Sequence, residues 1–364
     1  MRLFASALVS AILAFPAAYP GELRAEPSLS VKASLAEGDP GAATLTGWAA
    51  ELAGETGWTA GVELLGPGAL AGARTAMADP DGLTIGFLTL DEAVTRPLQD
   101  LAPYRAEEFQ PAVLFPGGAP VLVGRPDSPA PDLARLVQAP DRTVKLLAPN
   151  LMPVPGPTLM AAETLTALGA ELDIRELHES ARRHPDLPEG LGARDALWVS
   201  AYLALTPGEL LALPWEGLQA VRKHGLSPAT VLVLAAPPSA GSARMPFPEG
   251  PGPGDLGIAP GVRELFGFYY PAETGDKAKG GAPGMLAAMA ARALAAPQDF
   301  PFVTGPALAG DGAREAFEAE TAARRSVLES LSLAGEPPAP GKAPPPGKSP
   351  PPADPLRQTG EARQ

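Results

Sequence analysis

The sequence contains no cysteine and only three histidines, at positions 178, 184 and 224. The missing cysteine excludes disulfides, iron–sulfur clusters, thiolate zinc sites and cysteine nucleophiles, and so few histidines disfavour a histidine-rich metal site. Aromatic residues make up only 5% of the 364 residues, so Leu, Ala and Val have to form most of the core. Basic residues number 28 against 41 acidic ones, which gives a formal net charge of −13. Because nucleic-acid-binding faces are basic, that class of function is disfavoured.

An uncharged run near the N-terminus is typical of an export signal. Met1-Arg2 supplies a basic start, and the segment from Leu3 to Ala18 carries no charge, as in a secretory signal peptide. The alternative is a membrane anchor, but the run is shorter than the roughly 20 residues of a membrane-spanning helix and contains Pro16. We therefore assign residues 1–25 to a cleaved signal peptide and expect a periplasmic protein.

The opposite end of the chain is dominated by proline. Ten prolines lie between Pro337 and Pro355, and no apolar residue recurs at a regular period there. Such a segment cannot bury enough surface to offset its chain entropy, so residues 335–364 are expected to form a disordered Pro-rich tail with extended polyproline conformation. The tail is interpreted either as a tether or docking segment or as an unselected solvated extension.

Patterns typical of strands and helices alternate between these two terminal segments. The expected strands are Val31–Leu35, Val62–Leu65, Leu83–Leu88, Ala112–Phe115, Val121–Gly124, Val144–Leu147, Ile174–Leu177, Leu197–Ser200, Thr230–Ala235 and Phe266–Tyr270. The expected helices are Gly41–Glu55, Ala69–Ala78, Asp91–Leu98, Asp132–Gln138, Thr158–Leu168, Met285–Ala295 and Ala313–Leu331. This rhythm favours an α/β fold with mainly parallel sheets, in which ligands bind beyond the carboxyl ends of the strands.

Four segments occur in an order that is typical of one protein family. They are Asp39-Pro40-Gly41-Ala42-Ala43-Thr44, Ala78 to Gly86 (ADPDGLTIG), Tyr104 to Val123, and Gly267 to Gly275 (GFYYPAETG). Over roughly residues 30–333 the chain resembles the substrate receptors of tripartite tricarboxylate transporters, the Bug-type periplasmic binding proteins. Two loops depart from the family pattern.

The first departure is in the family's P-G-G-x-x-D loop, where this chain has Ala42 for the second Gly and Leu45 for the Asp. The second is in the G-x-G-[ST]-x-x-H loop, which corresponds to Ala148 to Thr158, is rich in proline from Pro149 on, and lacks the His. The loss of the Asp at position 45 leaves three alternatives open: a more negative ligand, a more apolar ligand, or a receptor that has lost ligand binding.

The resemblance implies the fold of a type II periplasmic binding protein. In that fold two lobes, each with a mainly parallel sheet flanked by helices, close on a hinge. Residues 26–124 and 236–334 are expected to form the first lobe, and residues 125–235 the second. The hinge is expected near Val123–Arg125 and Ala235–Pro237.

A carboxylate ligand requires hydrogen-bond donors, which the unpaired N–H groups of a helix N-terminus supply at the positive end of the helix dipole. The small-residue loop at Gly41, Ala42, Ala43 and Thr44 fits this requirement, although such a loop is also an ordinary tight turn. The resemblance implies three further loops on the cleft. Their candidate ligand-binding residues are Leu88, Thr89, Asn150, Gly156, Thr158, Ser200 and Tyr202. The Thr and Ser hydroxyls among them are also compatible with ordinary helix caps.

The function implied by the resemblance is that of an extracytoplasmic solute-binding protein. It would capture a small organic carboxylate as a monomer and pass it to the membrane subunits of a tripartite secondary transporter, without cofactor, metal or nucleic acid. The alternative is a sensor or scaffold derived from the same family. An enzyme is not expected, since the sequence has no G-x-S-x-G, H-E-x-x-H or Walker motif.

Several conspicuous residues have structural interpretations. His178 and His184 are expected at the surface, and Trp48 in the core together with Trp58. The charged residues of the last helix have partners at helical spacing and are expected on a solvated face. These charged residues are Asp311, Arg314, Glu315, Glu318, Glu320, Arg324 and Arg325.

Overall fold

The computed structural model describes residues 28–56, 59–127, 143–235, 249–259, 261–274 and 307–333. The expected signal peptide (1–25) and tail (335–364) lie outside these residues. So do Trp58, Pro237 and the helices expected over Asp132–Gln138 and Met285–Ala295.

The first sheet has six strands. They are β1 (Ser28–Ala33), β2 (Thr59–Leu64), β3 (Thr84–Thr89), β4 (Phe109–Pro116), β10 (Leu265–Pro271) and β11 (Leu308–Ala309). Their order is β11-β4-β10-β3-β1-β2. β2, β1 and β3 are parallel, whereas β10 is antiparallel to β3 and β4. The carboxyl ends of β1, β2 and β3 therefore meet at one edge of this sheet.

The second sheet has five strands. They are β5 (Val121–Gly124), β6 (Thr143–Ala148), β7 (Glu171–Glu176), β8 (Glu209–Leu213) and β9 (Ala229–Val233). Their order is β7-β6-β8-β5-β9. β6 is parallel to β7 and β8, and β5 is antiparallel to β8 and β9. We call the two sheets with their packed helices lobe 1 and lobe 2.

Helices flank both sheets. They are α1 (Pro40–Thr56), α2 (Ala69–Ala76), a π-helical turn (Asp91–Thr95) that continues into α3 (Arg96–Leu98), α4 (Gly156–Ala167), α5 (Ala193–Leu203), α6 (Trp215–Lys223) and α7 (Asp311–Ser330). Within the described part of the chain, no helix combines the length and the apolar character that crossing a bilayer requires. The expected α/β class with two sheets and flanking helices is confirmed. The sheets are mixed rather than mainly parallel, because β10 and β5 run antiparallel to their neighbours.

The chain passes between the lobes through two paired segments. Residues 117–120 lead from β4 to β5, and the return path leads from β9 to β10. Backbone hydrogen bonds join the two paths, from Gly117 N–H to Glu264 O (2.7 Å) and from Leu234 N–H to Pro120 O (2.8 Å). Because β5 belongs to the second sheet, the first crossing precedes Val121, which is earlier than the expected boundary after residue 124.

Helix α7 packs against both lobes. Ala313 and Phe317 belong to the apolar cluster of lobe 1, whereas Val327 and Leu328 belong to the main apolar cluster of lobe 2. The sequence assigned residues 236–334 to the first lobe as a whole. The end of α7 instead contributes to the core of the second lobe, so this helix ties the two lobes together.

The strand expected at Leu197–Ser200 is wrong, because these residues lie within helix α5. The short apolar run resembled a strand, but Trp198, Ala201 and Tyr202 follow a helical spacing and pack with α6 in one apolar cluster. Strand β8 and helix α6 were not expected at all. Trp48 is 7% exposed in the core of lobe 1, as expected.

Candidate functional site

The first turns of α1 carry four of the sequence-predicted binding residues. Gly41 and Ala42 are buried, Thr44 is partly buried and Ala43 is exposed. The helix begins beyond the carboxyl end of β1, and its first turn contains no acidic residue. The N–H groups there lie at the positive end of a 17-residue helix, which favours an anion.

Two positions in this region are core residues. Leu45, where the family pattern has Asp, is fully buried in the apolar cluster under α1. Leu88, a predicted binding residue, is fully buried in the cluster on the opposite face of the sheet. Neither side chain is available to a ligand, so any contact at Leu88 would involve its backbone.

Thr89, the next predicted residue, ends β3 and contacts Glu92. The Glu92 carboxylate accepts hydrogen bonds from Thr89 N–H (3.0 Å), Thr89 Oγ1 (2.8 Å), Ser34 Oγ (2.5 Å) and Gly68 N–H (3.2 Å). Its side chain is 5% exposed. Burial raises the pKa of Glu92, while the hydrogen bonds from Ser34, Thr89 and Gly68 act in the opposite direction.

Glu92 was not among the predicted residues, although the sequence contains a local signal for it. Thr89-x-x-Glu92 matches the capping box, in which Thr and Glu cap the start of a helix reciprocally. The Glu92 N–H lies 3.4 Å from Thr89 Oγ1 and completes this pattern. The contacts with Ser34 and Gly68 could not be found in this way, because they join segments distant in sequence.

The loop between β6 and α4 carries three predicted residues in lobe 2. Asn150 accepts a hydrogen bond from Arg182. Gly156 begins α4 and donates its N–H to Asp91 Oδ2 of lobe 1 (3.0 Å). Thr158, in the first turn of α4, is fully buried, and its hydroxyl has no hydrogen-bond partner among the described residues.

The loops that follow β3 and β6 contact each other across the two lobes. Besides the bond from Gly156 to Asp91, Gln99 donates from Nε2 to Leu151 O (2.9 Å) and accepts at Oε1 from Val154 N–H (2.9 Å). Gln99 is 1% exposed. The carboxyl-end loops of the two sheets therefore converge, as a cleft between lobes requires.

Ser200 and Tyr202 were expected in a loop after a strand, and this expectation is wrong. Both lie on helix α5 and are buried. Ser200 Oγ donates to Leu197 O of its own helix (3.0 Å), and Tyr202 packs in the apolar cluster between β5, α5 and α6. Burial raises the pKa of Tyr202. These two side chains support the core of lobe 2.

The expected solvated face of the last helix is wrong at two positions, because Glu320 and Arg324 are fully buried. Arg324 donates to Asp91 Oδ1 (2.6 Å), to Thr95 Oγ1 (2.7 Å) and to the Arg263 carbonyl (2.9 Å). Glu320 accepts from the Arg263 guanidinium (2.7 Å). This arginine holds Asp91 in the position from which it caps α4.

Glu264 lies beside this cluster, on the return path between the lobes. Its Oε1 is buried without a hydrogen-bond partner among the described residues, 3.9 Å from Arg324, although 24% of its side chain is exposed. Burial, together with the negative charges of Asp91, Glu216 and Glu320, raises the pKa of Glu264 to about 8, and the charge of Arg324 opposes this shift.

We expect Glu264→Gln to flatten the pH dependence of stability between pH 5 and pH 8.5. A carboxyl with a pKa of about 8 in the folded protein, against an ordinary 4.5, contributes stability that is fully present below pH 4.5. This contribution is lost as the pH rises through 8. Relative to wild type, the variant should gain about 1 kcal/mol or more over this range, since one pKa unit corresponds to about 1.4 kcal/mol.

The measurement is urea denaturation of both proteins at the two pH values. Glu329→Gln is the matched control, because Glu329 is exposed near the end of α7. An equal stability difference between wild type and Glu264→Gln at both pH values would contradict the expectation.

The described residues contain no group of His, Asp and Glu arranged to hold a metal ion. Helices begin beyond the carboxyl ends of parallel strands at several places: α1 after β1, α2 after β2, the π-helical turn after β3, α4 after β6 and α6 after β8. Glu92 binds the start of α2 through Gly68, and Asp91 binds the start of α4 through Gly156. The first turn of α1 has no acidic side chain of its own.

Comparison with known proteins gives structural matches only. No family model matches the sequence, and no curated protein matches it. Among solved structures, the fold is similar to a TctC solute-binding protein from Polaromonas, with a TM-score of 0.60 and 14% identity. That match covers 84% of this chain and 98% of the other.

Two further similar structures come from Rhodopseudomonas palustris. MatC with bound malate has a TM-score of 0.53 and 16% identity, over 83% of this chain and 98% of its own. A protein with adipate also has a TM-score of 0.53 and 16% identity, over 86% of this chain and 99% of its own. At these identities the likeness shows the fold alone.

Proposed function

We propose that the protein is a periplasmic solute-binding protein, a divergent relative of the Bug-type receptors, that captures a small organic carboxylate between its lobes. It then presents the ligand to the membrane subunits of a tripartite secondary transporter. The two-lobed fold supports the binding role, and the neighbours solved with malate and adipate support a carboxylate. The protein works as a monomer and needs neither cofactor nor metal.

The start of α1 is the observation that carries this proposal. Its first turn lies beyond the carboxyl end of β1 and is built from the small residues Gly41, Ala42 and Ala43. The acid that precedes this turn, Asp39, accepts the N–H of Ala36 at its carboxylate (2.7 Å). Small side chains allow a ligand to approach the backbone closely, and N–H groups at a helix start bind carboxylates. Since the whole chain is acidic, capture of an anion depends on such local donors rather than on net charge.

Lobe 2 supplies the other wall of the cleft. Thr158 lies in the first turn of α4 with an unpartnered hydroxyl, which can donate to a ligand atom when the lobes move. The hinge consists of the paired segments around Gly117 and Pro120 and the return path near Leu234 and Glu264. Closure over a ligand in this fold is a motion of two rigid lobes about such segments.

We expect small carboxylates to raise the melting temperature of the full-length protein, and we expect Ala43→Asp to abolish the effect. At 100 times the dissociation constant a ligand adds about 2.7 kcal/mol, which corresponds to a shift of several degrees. An acid in the first turn stabilises the helix but repels a carboxylate ligand. The same panel should contain amino acids and sugars.

Ala43→Asn is the matched control, because it has nearly the same size and no charge. Binding retained by Ala43→Asn and lost by Ala43→Asp places the carboxylate at α1. Equal binding by both variants would contradict the role of α1, and the absence of any carboxylate hit in the wild type would contradict the proposed function.

The second candidate is a sensor or scaffold that has given up transport. Asp91 and Glu92 favour it, because the protein's own carboxylates occupy the starts of α4 and α2. The fully buried Leu45 favours it too, since it cannot contact a ligand. A well-folded protein that no compound stabilises would support this candidate over the first.

A further inference from the structure

We propose that Glu92 is a built-in occupant of a carboxylate site in lobe 1, so that this edge of the first sheet is closed to a ligand carboxylate. The statement stands on the geometry of Glu92 alone and does not depend on the proposed function.

The donors around Glu92 come from the carboxyl ends of three adjacent parallel strands. Ser34 directly follows β1, Gly68 lies between β2 and α2, and Thr89 ends β3. The strand order β3-β1-β2 places these three ends side by side. A ligand anion in an open α/β sheet binds at this edge, and here a buried side-chain carboxylate is already bound there.

A capping role explains only part of this arrangement. The bonds between Glu92 and Thr89 form the local capping box. Ser34 and Gly68 are 58 and 24 residues away in sequence, and the capping box does not require them. Gly68 is the N-cap residue of α2, and Glu92 accepts its backbone N–H, which is the bond that the N3 Glu of a capping box would otherwise accept.

Asp91, the neighbour of Glu92 in sequence, binds the start of a helix in lobe 2. Asp91 accepts the N–H of Gly156 at the start of α4 and is held by the buried Arg324. The starts of α2 and α4 therefore each bind an internal carboxylate from the segment that follows β3.

Glu92→Ala should convert the internal site into one for free carboxylates. The variant removes a carboxylate but leaves Ser34 Oγ, Thr89 N–H and Gly68 N–H around a space of matching size. We expect its melting temperature to be lower than that of wild type and to recover by roughly 2–4 °C in 100 mM sodium acetate. Sodium chloride at equal ionic strength should give no such recovery.

Two controls identify the site. Leu90→Ala opens a space at a buried apolar residue of the same segment and should not respond to acetate. Ser34→Ala combined with Glu92→Ala removes one donor and should weaken the acetate response. An equal response to acetate and chloride, or an equal response of Leu90→Ala, would overturn the proposal. Folding of Glu92→Ala in acetate but not in chloride would also support the proposal. Failure of the variant to fold in either salt would contradict the assignment of a carboxylate site.

The outcome is independent of the ligand that the wild type binds. If the wild type binds no carboxylate, the proposed function fails, and the acetate response of Glu92→Ala still decides whether Glu92 fills an anion site.

Discussion

Replacing Arg324 by methionine is expected to lower the free energy of unfolding by about 3–5 kcal/mol, the usual effect of removing one partner from a buried ion pair. Arg324 is fully buried and pairs with Asp91 at 2.6 Å. Its Nε also lies 3.8 Å from the fully buried Glu320. Methionine fills a similar volume but removes the cation bound to Asp91 and leaves Glu320 with Arg263 alone. Equilibrium denaturation in urea measures the loss.

Arg325→Met is the matched control, because the neighbouring arginine lies on the same helix with 42% of its side chain exposed and a loose contact to Glu107 (3.6 Å). Exposed ion pairs contribute about 0–1 kcal/mol, so this variant should remain near wild type. Similar losses for Arg324→Met and Arg325→Met would contradict the view that α7 joins the lobes through a buried charge cluster.

The second large effect is expected for Gly267→Ala, with a loss of more than about 2 kcal/mol. Gly267 lies in β10 opposite Leu114 of β4. An added Cβ would clash with the Val113 carbonyl and crowd the Leu114 backbone. Because the obstacle is backbone at the centre of a sheet, no rotation of a side chain relieves it.

Gly61→Ala is the comparison variant for this test. Gly61 lies in β2 at the edge of the same sheet, and an added Cβ would have no heavy atom within 4 Å. Its stability should stay within about 0.5 kcal/mol of wild type. Equal stability of both variants would show that β10 and β4 can separate slightly without cost.

The fold could be predicted from sequence where local patterns and tertiary packing agree. Helix α1 follows a Pro-Gly turn and presents Leu45 and Trp48 to the core, and its observed bounds differ from the expected ones by a single residue at each end. The apolar strands β3 and β9 were also expected at nearly their observed positions. Helix α5 was missed because Trp198, Val199 and Tyr202 favour strands intrinsically, while their packing against α6 selects the helix.

The candidate site could be predicted only as far as the backbone determines it. Helix starts were expected at Gly41 and Thr158, and they are observed slightly earlier, at Pro40 and Gly156. The charged residues around these helix starts were not expected. Asp91 and Gly156 are 65 residues apart in sequence, and Arg324 and Asp91 are 233 apart, so no local pattern indicates these contacts. The sequence pattern of an amphipathic helix predicts that its charged residues face solvent. Arg324 is buried instead because α7 packs against both lobes.

The most direct test of the account is a crystal structure of the full-length protein grown with its tightest-binding carboxylate. The account predicts one ligand carboxylate at the first turn of α1, with Glu92 still bound to Ser34 and Gly68. A ligand carboxylate on Ser34 and Gly68 with Glu92 displaced, or a ligand away from α1, would contradict it.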